Sequence, residues 1–176
     1  MKQRLVQYSG KCVLSILLVL LGVSLSVSAG AQDTQKVGPS GNILPRFVSL
    51  SADEANMRTG PGRQYPIEWV YRRRNLPLEV IDEFGPWRKL RDHQGTIGWM
   101  HVLLLNNKRT AMIMDDKLRL FEDPSDVSPV TIIADRGVIG IIDACENRWC
   151  KLEIDGTEGW AERKSLWGVY PNETID

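Results

Sequence analysis

The chain has 176 residues, with 22 Lys and Arg against 22 Asp and Glu, two histidines, three cysteines and six tryptophans. Such a balance is not that of a uniformly basic nucleic-acid binder. Two histidines and three cysteines also leave few ligands from which to build a metal centre.

The chain opens with Lys2, Arg4 and Lys11 and no acidic residue, followed by an uncharged apolar run from Cys12 to a small-residue end at Ala29-Gly30-Ala31. A basic start, a hydrophobic middle and a small-residue end form the pattern of a cleavable secretory signal peptide over residues 1–31. The rival reading is an uncleaved anchor, because the run is just long enough to span a bilayer. No cysteine lies at the cleavage end, which argues against a lipoprotein. Residues 32–45, rich in Gly, Pro and polar side chains, read as a flexible linker.

Short apolar runs then recur between turn signals. In the first half they are Phe47–Leu50, Trp69–Tyr71, Leu78–Phe84, Trp87–Leu90 and Ile97–Met100; in the second, Ala111–Met114, Val130–Ile133, Val138–Ile142, Trp149–Ile154 and Gly159–Ala161. Short, closely spaced strands with no long helical period predict an all-β protein of small sandwiches or barrels. Gly60-Pro61-Gly62 suits a type II turn, with Gly62 at positive φ. Asp155-Gly156 is a hairpin signal, and Asp92-His93-Gln94-Gly95 spends one more residue at the matching place. Gly98 and Gly159, each before a tryptophan, mark close approach by backbone or ring.

Two stretches nearly coincide: Trp87-Arg-Lys-Leu90 leading to Gly95-Thr-Ile-Gly-Trp99, and Trp149-Cys-Lys-Leu152 leading to Gly156-Thr-Glu-Gly-Trp160. The same signature returning after about sixty residues indicates a duplicated unit. The copies differ in charge. From Arg46 to Thr110 there are 11 basic and 7 acidic residues, or +4; from Ala111 to Asp176 there are 7 and 14, or −7. Without the leader's three basic residues the remaining chain carries 19 against 22, a net −3. One reading of this asymmetry is that the basic copy docks on the acidic one, with Arg72-Arg73-Arg74 in the interface. Other readings of that arginine run are a solvated loop, or an edge that joins Arg58 and Arg63 against carboxylates or phosphates, to which the planar guanidinium is suited.

Beyond the leader only Cys145 and Cys150 remain, flanking Glu146-Asn-Arg-Trp149. In an exported protein an isolated pair is most simply a disulfide. A redox pair or two metal ligands are the alternatives, but redox motifs usually place two residues between the cysteines and a metal site needs further ligands.

Asn56-Met-Arg58-Thr-Gly60-Pro61-Gly62-Arg-Gln-Tyr65-Pro66 resembles the opening of bacterial SH3 domains, and the later Gly-Trp element resembles their closing hairpin. The longer pattern, through Tyr71-Arg-Arg-Arg74, the Cys145 and Cys150 pair and Leu166-Trp167-Gly-Val-Tyr170-Pro171, is similar to exported bacterial proteins with tandem SH3-like domains. The likeness runs from Phe47 to Pro171. It is weaker in the second copy, where Lys117-Leu-Arg119-Leu-Phe-Glu-Asp-Pro124 replaces the N-x-R-x-G-P-G loop.

This resemblance implies two SH3-like barrels, repeat one over 46–106 and repeat two over 107–171, with a tail at 172–176. It implies a binding module associated with cell-wall recognition and no catalyst. The repeats fill the chain after the leader, and no catalytic domain is expected. His93 and His101 have neither ligand nor nucleophile-partner spacing, so no catalytic residue, cofactor or metal is expected. The candidate binding residues are Arg58, Tyr65, Arg72, Arg73, Arg74, Trp87 and Trp99, with Tyr65, Trp87 and Trp99 weighed as a shared groove. Trp69, Trp160 and Trp167 are expected to be packing residues. The expected partner is peptidoglycan or another envelope polymer, met in the periplasm or after secretion; the alternative is a protein–protein scaffold with no wall affinity. Nucleic acid is not expected, and membrane contact is expected only through an uncleaved leader. The duplication is read as one binding unit and one supporting unit.

Overall fold

The computed structural model describes residues 36–176; the expected signal peptide lies outside the described residues. The chain begins with a small hairpin of β1 (Lys36–Val37) and β2 (Ile43–Leu44). Repeat one follows with β3 (Arg46–Leu50), β4 (Ala55–Arg58), β5 (Ile67–Tyr71), β6 (Pro77–Phe84), β7 (Trp87–Arg91), β8 (Ile97–His101) and β9 (Leu105–Asn106). Repeat two has β10 (Thr110–Ile113), β11 (Leu118–Phe121), β12 (Val130–Ala134), β13 (Ile139–Glu146), β14 (Trp149–Ile154), β15 (Thr157–Glu162) and β16 (Leu166–Trp167). Two single 3-10 turns, Val102–Leu104 and Arg163–Ser165, are the helical elements among the described residues. No helix there is long and apolar enough to cross a membrane.

The duplication extends to the hydrogen-bonding order. Repeat one is a seven-stranded sheet of order β5-β4-β8-β7-β6-β3-β9, and repeat two repeats it as β12-β11-β15-β14-β13-β10-β16. Even the register shifts correspond: between Val80 and Asp82 in one and Ile142 and Ala144 in the other, and at Met57/Arg58 and Leu120/Phe121. The orders are open, so neither sheet closes into the hydrogen-bonded barrel expected. Each instead curls round its own core. Val48, Leu50, Met57, Leu78, Val80, Leu90 and Met100 meet in the first; Ala111, Ile113, Leu120, Leu152, Ala161 and the Cys145 and Cys150 side chains meet in the second. The curl brings β8 against β4, and β15 against β11. There, a Cβ on Gly98 would lie 2.4 Å from Met57 Cγ and one on Gly159 2.8 Å from Leu120 Cβ, so both positions have no room for a side chain.

Strands β3 and β10 are buried on both faces, which period-two alternation explains. Val48 and Leu50 enter the first core and Ala111 and Ile113 the second. The other faces meet between the repeats. Phe47 packs edge-on against Trp167 at 5.3 Å and, with the rings tilted, against Tyr170 at 4.8 Å. The Ser49 and Thr110 hydroxyls lie 2.6 Å apart, and Thr110 donates to Asn75 O at 2.8 Å. Met112 completes the first core, with Ile139 and Trp167 packed against it. Gly168 sits at φ 122°, where a Cβ would lie 2.3 Å from Thr110 O, so this crossing requires glycine.

Charge does not dock the copies. Every ion pair among the described residues stays within one repeat, joins the leading hairpin to repeat one or, as Arg109–Glu173, ties the tail to repeat two, and the seam is built of aromatic and aliphatic packing with a few hydrogen bonds.

Two further expectations change. Within the expected flexible linker, residues 36–44 form the β1–β2 hairpin, seated with Leu44 in the core and Ser40 donating through N (2.9 Å) and Oγ (2.8 Å) to Glu83. The tail is held too, by reciprocal backbone bonds between Cys145 and Ile175 and by the Arg109–Glu173 pair. Gly62 is not at positive φ; its N–H bonds Gly60 O at 2.9 Å around Pro61, a γ-type turn that proline's φ favours. The Asp155-Gly156 hairpin forms as expected, both residues at positive φ (50° and 79°).

Candidate functional site

Alternation on three neighbouring strands builds the outer face of repeat one. On β8, Gly98 and Met100 face the core, so Trp99 and His101 face outward; on β7, Arg88 and Leu90 are buried, and Trp87 and Lys89 face outward; on β4, Asn56 and Arg58 alternate with buried Ala55 and Met57. Register places Trp87 opposite His101, Lys89 opposite Trp99, and Arg58 opposite Trp99. At one end of this face lies a cavity of about 320 Å³ lined by Glu54, Asn56, Arg58, Arg63, Trp87 and His101, with Leu103 and Leu104 beside them. The Trp87 and His101 rings meet edge to face at 5.4 Å, and His101 Nδ1 accepts from Leu103 N at 3.3 Å, which fixes the imidazole.

The expected residues divide. Arg58 and Trp87 line the cavity, but Arg58 also holds the 59–66 loop, its Nη1 donating to Arg63 O (3.1 Å) and Tyr65 O (2.7 Å). Trp99 shares the face beside Arg58, under Lys89 Nζ at 6.0 Å, outside the cavity. Tyr65 is partly exposed and lies on Gly60, where a Cβ would be 2.5 Å from the ring; it too is outside the lining. Tyr65, Trp87 and Trp99 therefore do not line one shared cavity.

The arginine run splits into single contacts. Arg72 pairs with Glu54 at 2.9 Å, and Arg74 pairs bidentately with Asp53 at 2.9 and 3.0 Å, the guanidinium holding the Asp53 carboxyl below its usual range. Arg73 lines a different hollow of about 270 Å³ with Trp69, Tyr71, Met112 and Gly137, at the seam between the repeats. Burial, reinforced by the bond to Asp92, pushes the Tyr71 phenol above its usual range there. Trp69, expected to pack, is 55% exposed, because β5 is an edge strand.

Sequence reading missed Asn56 and His101 as lining residues. The signal for His101 is its place two residues after Trp99 on the same strand face. Among the described residues, no three His, Cys, Asp or Glu side chains converge to hold a metal.

Repeat two holds a counterpart of about 330 Å³, lined at matching positions by Lys117, Arg119, Phe121, Asp126, Trp149 and Glu162, with Asp115 and Asp116 added. The loop beside it keeps its backbone. Thr59 N to Pro66 O, Gly62 N to Gly60 O and Tyr65 N to Gly62 O reappear as Glu122 N to Pro129 O, Ser125 N to Asp123 O and Ser128 N to Ser125 O. The second copy therefore lost the loop's residues but retained its course. Phe121 in place of Arg58 packs edge-on against Trp149 at 5.8 Å, and Trp149 is buried. Arg148 covers that indole at 5.1 Å and pairs with Asp126. The two cavities are of similar size, but two arginines face one carboxylate in repeat one, whereas four carboxylates face two cations in repeat two.

Cys145 and Cys150 are disulfide-bonded across directly opposed positions of β13 and β14, with Cα atoms 4.1 Å apart.

Two copies of one curled sheet, each with a groove beside the same loop, define a tandem small-β binding architecture. The bacterial SH3 domain family model matches residues 51–106 and 115–168, and the chain belongs to that family. No curated protein matches it. Six chains of solved structures match; one is the structure of NlpC2 from Trichomonas vaginalis, 9% identical, with a TM-score of 0.33, covering 70% of this chain and 48% of that one. The chain thus spans about half the length of that structure's chain.

Proposed function

We propose that the protein is a non-catalytic, exported binding protein that recognises peptidoglycan or another anionic envelope polymer through the groove of repeat one. The observation that carries this reading is the 320 Å³ cavity, where the Arg63 and Arg58 side chains stand beside the Trp87 and His101 rings and the Asn56 amide. Guanidinium groups suit carboxylates and phosphates, aromatic faces suit sugar or peptide, and an amide supplies both a donor and an acceptor. The disulfide fits an oxidising compartment outside the cytoplasm. Nothing in the groove pairs a nucleophile with a base, which favours binding over catalysis.

The test is co-sedimentation of purified protein with insoluble peptidoglycan. Retention is expected, with about tenfold weaker binding for Trp87→Ala and for Arg63→Gln, the latter difference shrinking at high salt. Protein that stays wholly in the supernatant rules out wall recognition. The second reading, a protein-binding scaffold, is favoured by edge strand β5, where Ile67, Trp69 and Val70 are 48%, 55% and 42% exposed. An added strand could pair there. Capture of a protein partner that is lost in Trp69→Lys, without wall retention, would support it.

A further inference from the structure

Equivalent positions in the two repeats differ sharply beside the 3-10 turns. In repeat one Val102 N donates to Pro86 O at 2.8 Å; in repeat two Arg163 N donates to Arg148 O at 2.8 Å. The first repeat thus places Pro86, Val102 and Leu103 where the second places Arg148, Arg163 and Lys164. This cluster belongs to the acidic copy, so it does not follow from overall composition. The three cations line a cavity of about 540 Å³ whose apolar wall is Leu166, Val169 and Pro171.

Arg163 is 93% buried, at 7% exposure. Its Nη1 donates at 2.6 Å to both Tyr170 O and Glu173 O, and its buried Nε has no partner. Three other arginines, Arg46, Arg88 and Arg109, also leave Nε without a hydrogen bond, but each pairs with a carboxylate. Among the described residues Arg163 pairs with none. A buried guanidinium that makes no ion pair of its own is costly unless something anionic reaches it; its charge is felt by the Glu173 carboxyl, but that carboxylate is bonded to Arg109. The facing acids do not satisfy it: Glu162 is taken by Lys164 and Arg148, and Glu173 by Arg109. The lining itself holds three cations against one carboxylate, Glu162, and Arg148 also pairs with Asp126 outside it at 3.4 Å.

We propose that this cavity on repeat two is a second binding site, for a small carboxylate ligand that carries an apolar group, its carboxylate meeting Arg163, Arg148 and Lys164 and its apolar part meeting Leu166, Val169 and Pro171. The site is separate from the groove of repeat one and does not depend on that groove's ligand. The experiment is an NMR titration of isotope-labelled protein with N-acetyl-leucine, with N-acetyl-leucinamide, and with inorganic phosphate. Saturable shifts of the Arg163, Lys164 and Leu166 amides are expected with the acid, and binding about tenfold weaker with the amide, which lacks the charge.

Because Arg163 also holds the carbonyls of Tyr170 and Glu173, Arg163→Ala risks unfolding; the double variant Arg148→Gln with Lys164→Gln changes exposed side chains only and is expected to weaken the acid about tenfold. Equal binding of acid and amide, no shift at millimolar acid, or shifts confined to β4, β7 and β8 would overturn the proposal. Phosphate binding as tightly as N-acetyl-leucine would overturn the apolar half of the assignment.

Discussion

Glu83 shows how much a single buried carboxylate organises. Its side chain is 1% exposed and receives two bonds from Ser40, with Arg88 Nε at 3.2 Å and Arg46 Nη2 at 3.5 Å. Burial alone would raise its pKa, but the Ser40 bonds and the Arg88 and Arg46 charges outweigh burial and hold it below the usual 4.5. A carboxyl depressed in the folded state contributes stability above pH 4.5 and loses it as the pH falls through the lower folded value. Glu83→Gln leaves buried Arg88 without its anion and should cost about 3 kcal/mol in urea unfolding at neutral pH. The gap between wild type and variant should close in acid; a gap independent of pH would refute this account. Ser40 belongs to the Gly/Pro-rich stretch that reads as linker, and local composition gave no sign that a distant carboxylate would fix it.

The elements were legible where a strand alternates over a recognisable turn. β6, β7, β13 and β14 stand within a few residues of their expected runs, and the Asp155-Gly156 hairpin follows its turn chemistry. β4 and β11 escaped because Ala-Asn-Met-Arg and Leu-Arg-Leu-Phe are interrupted by polar residues and form no continuous apolar run, and their strand character comes from pairing with β5 and β8, or β12 and β15. The β13–β14 ladder carries its own test. The Cys145–Cys150 ring closes a short loop, so replacing both cysteines by serine should remove about 2 kcal/mol of stability on the loop-closure model. Because Cys145 also bonds Ile175 through both backbone groups, hydrogen exchange at those two amides should accelerate in the same variant. Unchanged exchange there would show that the Cys145–Ile175 bonds do not depend on the disulfide.

At the scale of the whole molecule the seam decides behaviour. Tyr170 donates its hydroxyl to Glu79 Oε1 at 3.0 Å across the repeats, and Trp167 Nε1 donates to Pro77 O at 3.1 Å. Burial, then the charge of Glu79 and the bond to it, push the Tyr170 phenol above its usual value of 10.0. A phenol raised in the folded state leaves stability intact below pH 10 and loses it above, because the unfolded chain ionises first. Thermal stability should therefore fall from about pH 10 upward. Tyr170→Phe should cost about 1 kcal/mol at neutral pH and flatten part of that alkaline decline. Two separate melting transitions in wild type at neutral pH would contradict a shared seam, since Met112 of repeat two sits in the core of repeat one.

By itself the sequence determined that the protein is a β-rich duplication with an aromatic and arginine-bearing first copy, because strand alternation, turn residues and repeated signatures are local. Tertiary structure alone decided which side chains are free to bind. Arg72 and Arg74 pair with carboxylates in their own repeat, Arg58 braces the 59–66 loop while it lines the cavity, and Tyr65, Trp87 and Trp99 do not share that cavity. The cations of repeat two gather round a hollow at residues no motif marks. Charge, burial and partnership depend on what the chain brings alongside, and here the neighbours come from strands far apart in sequence.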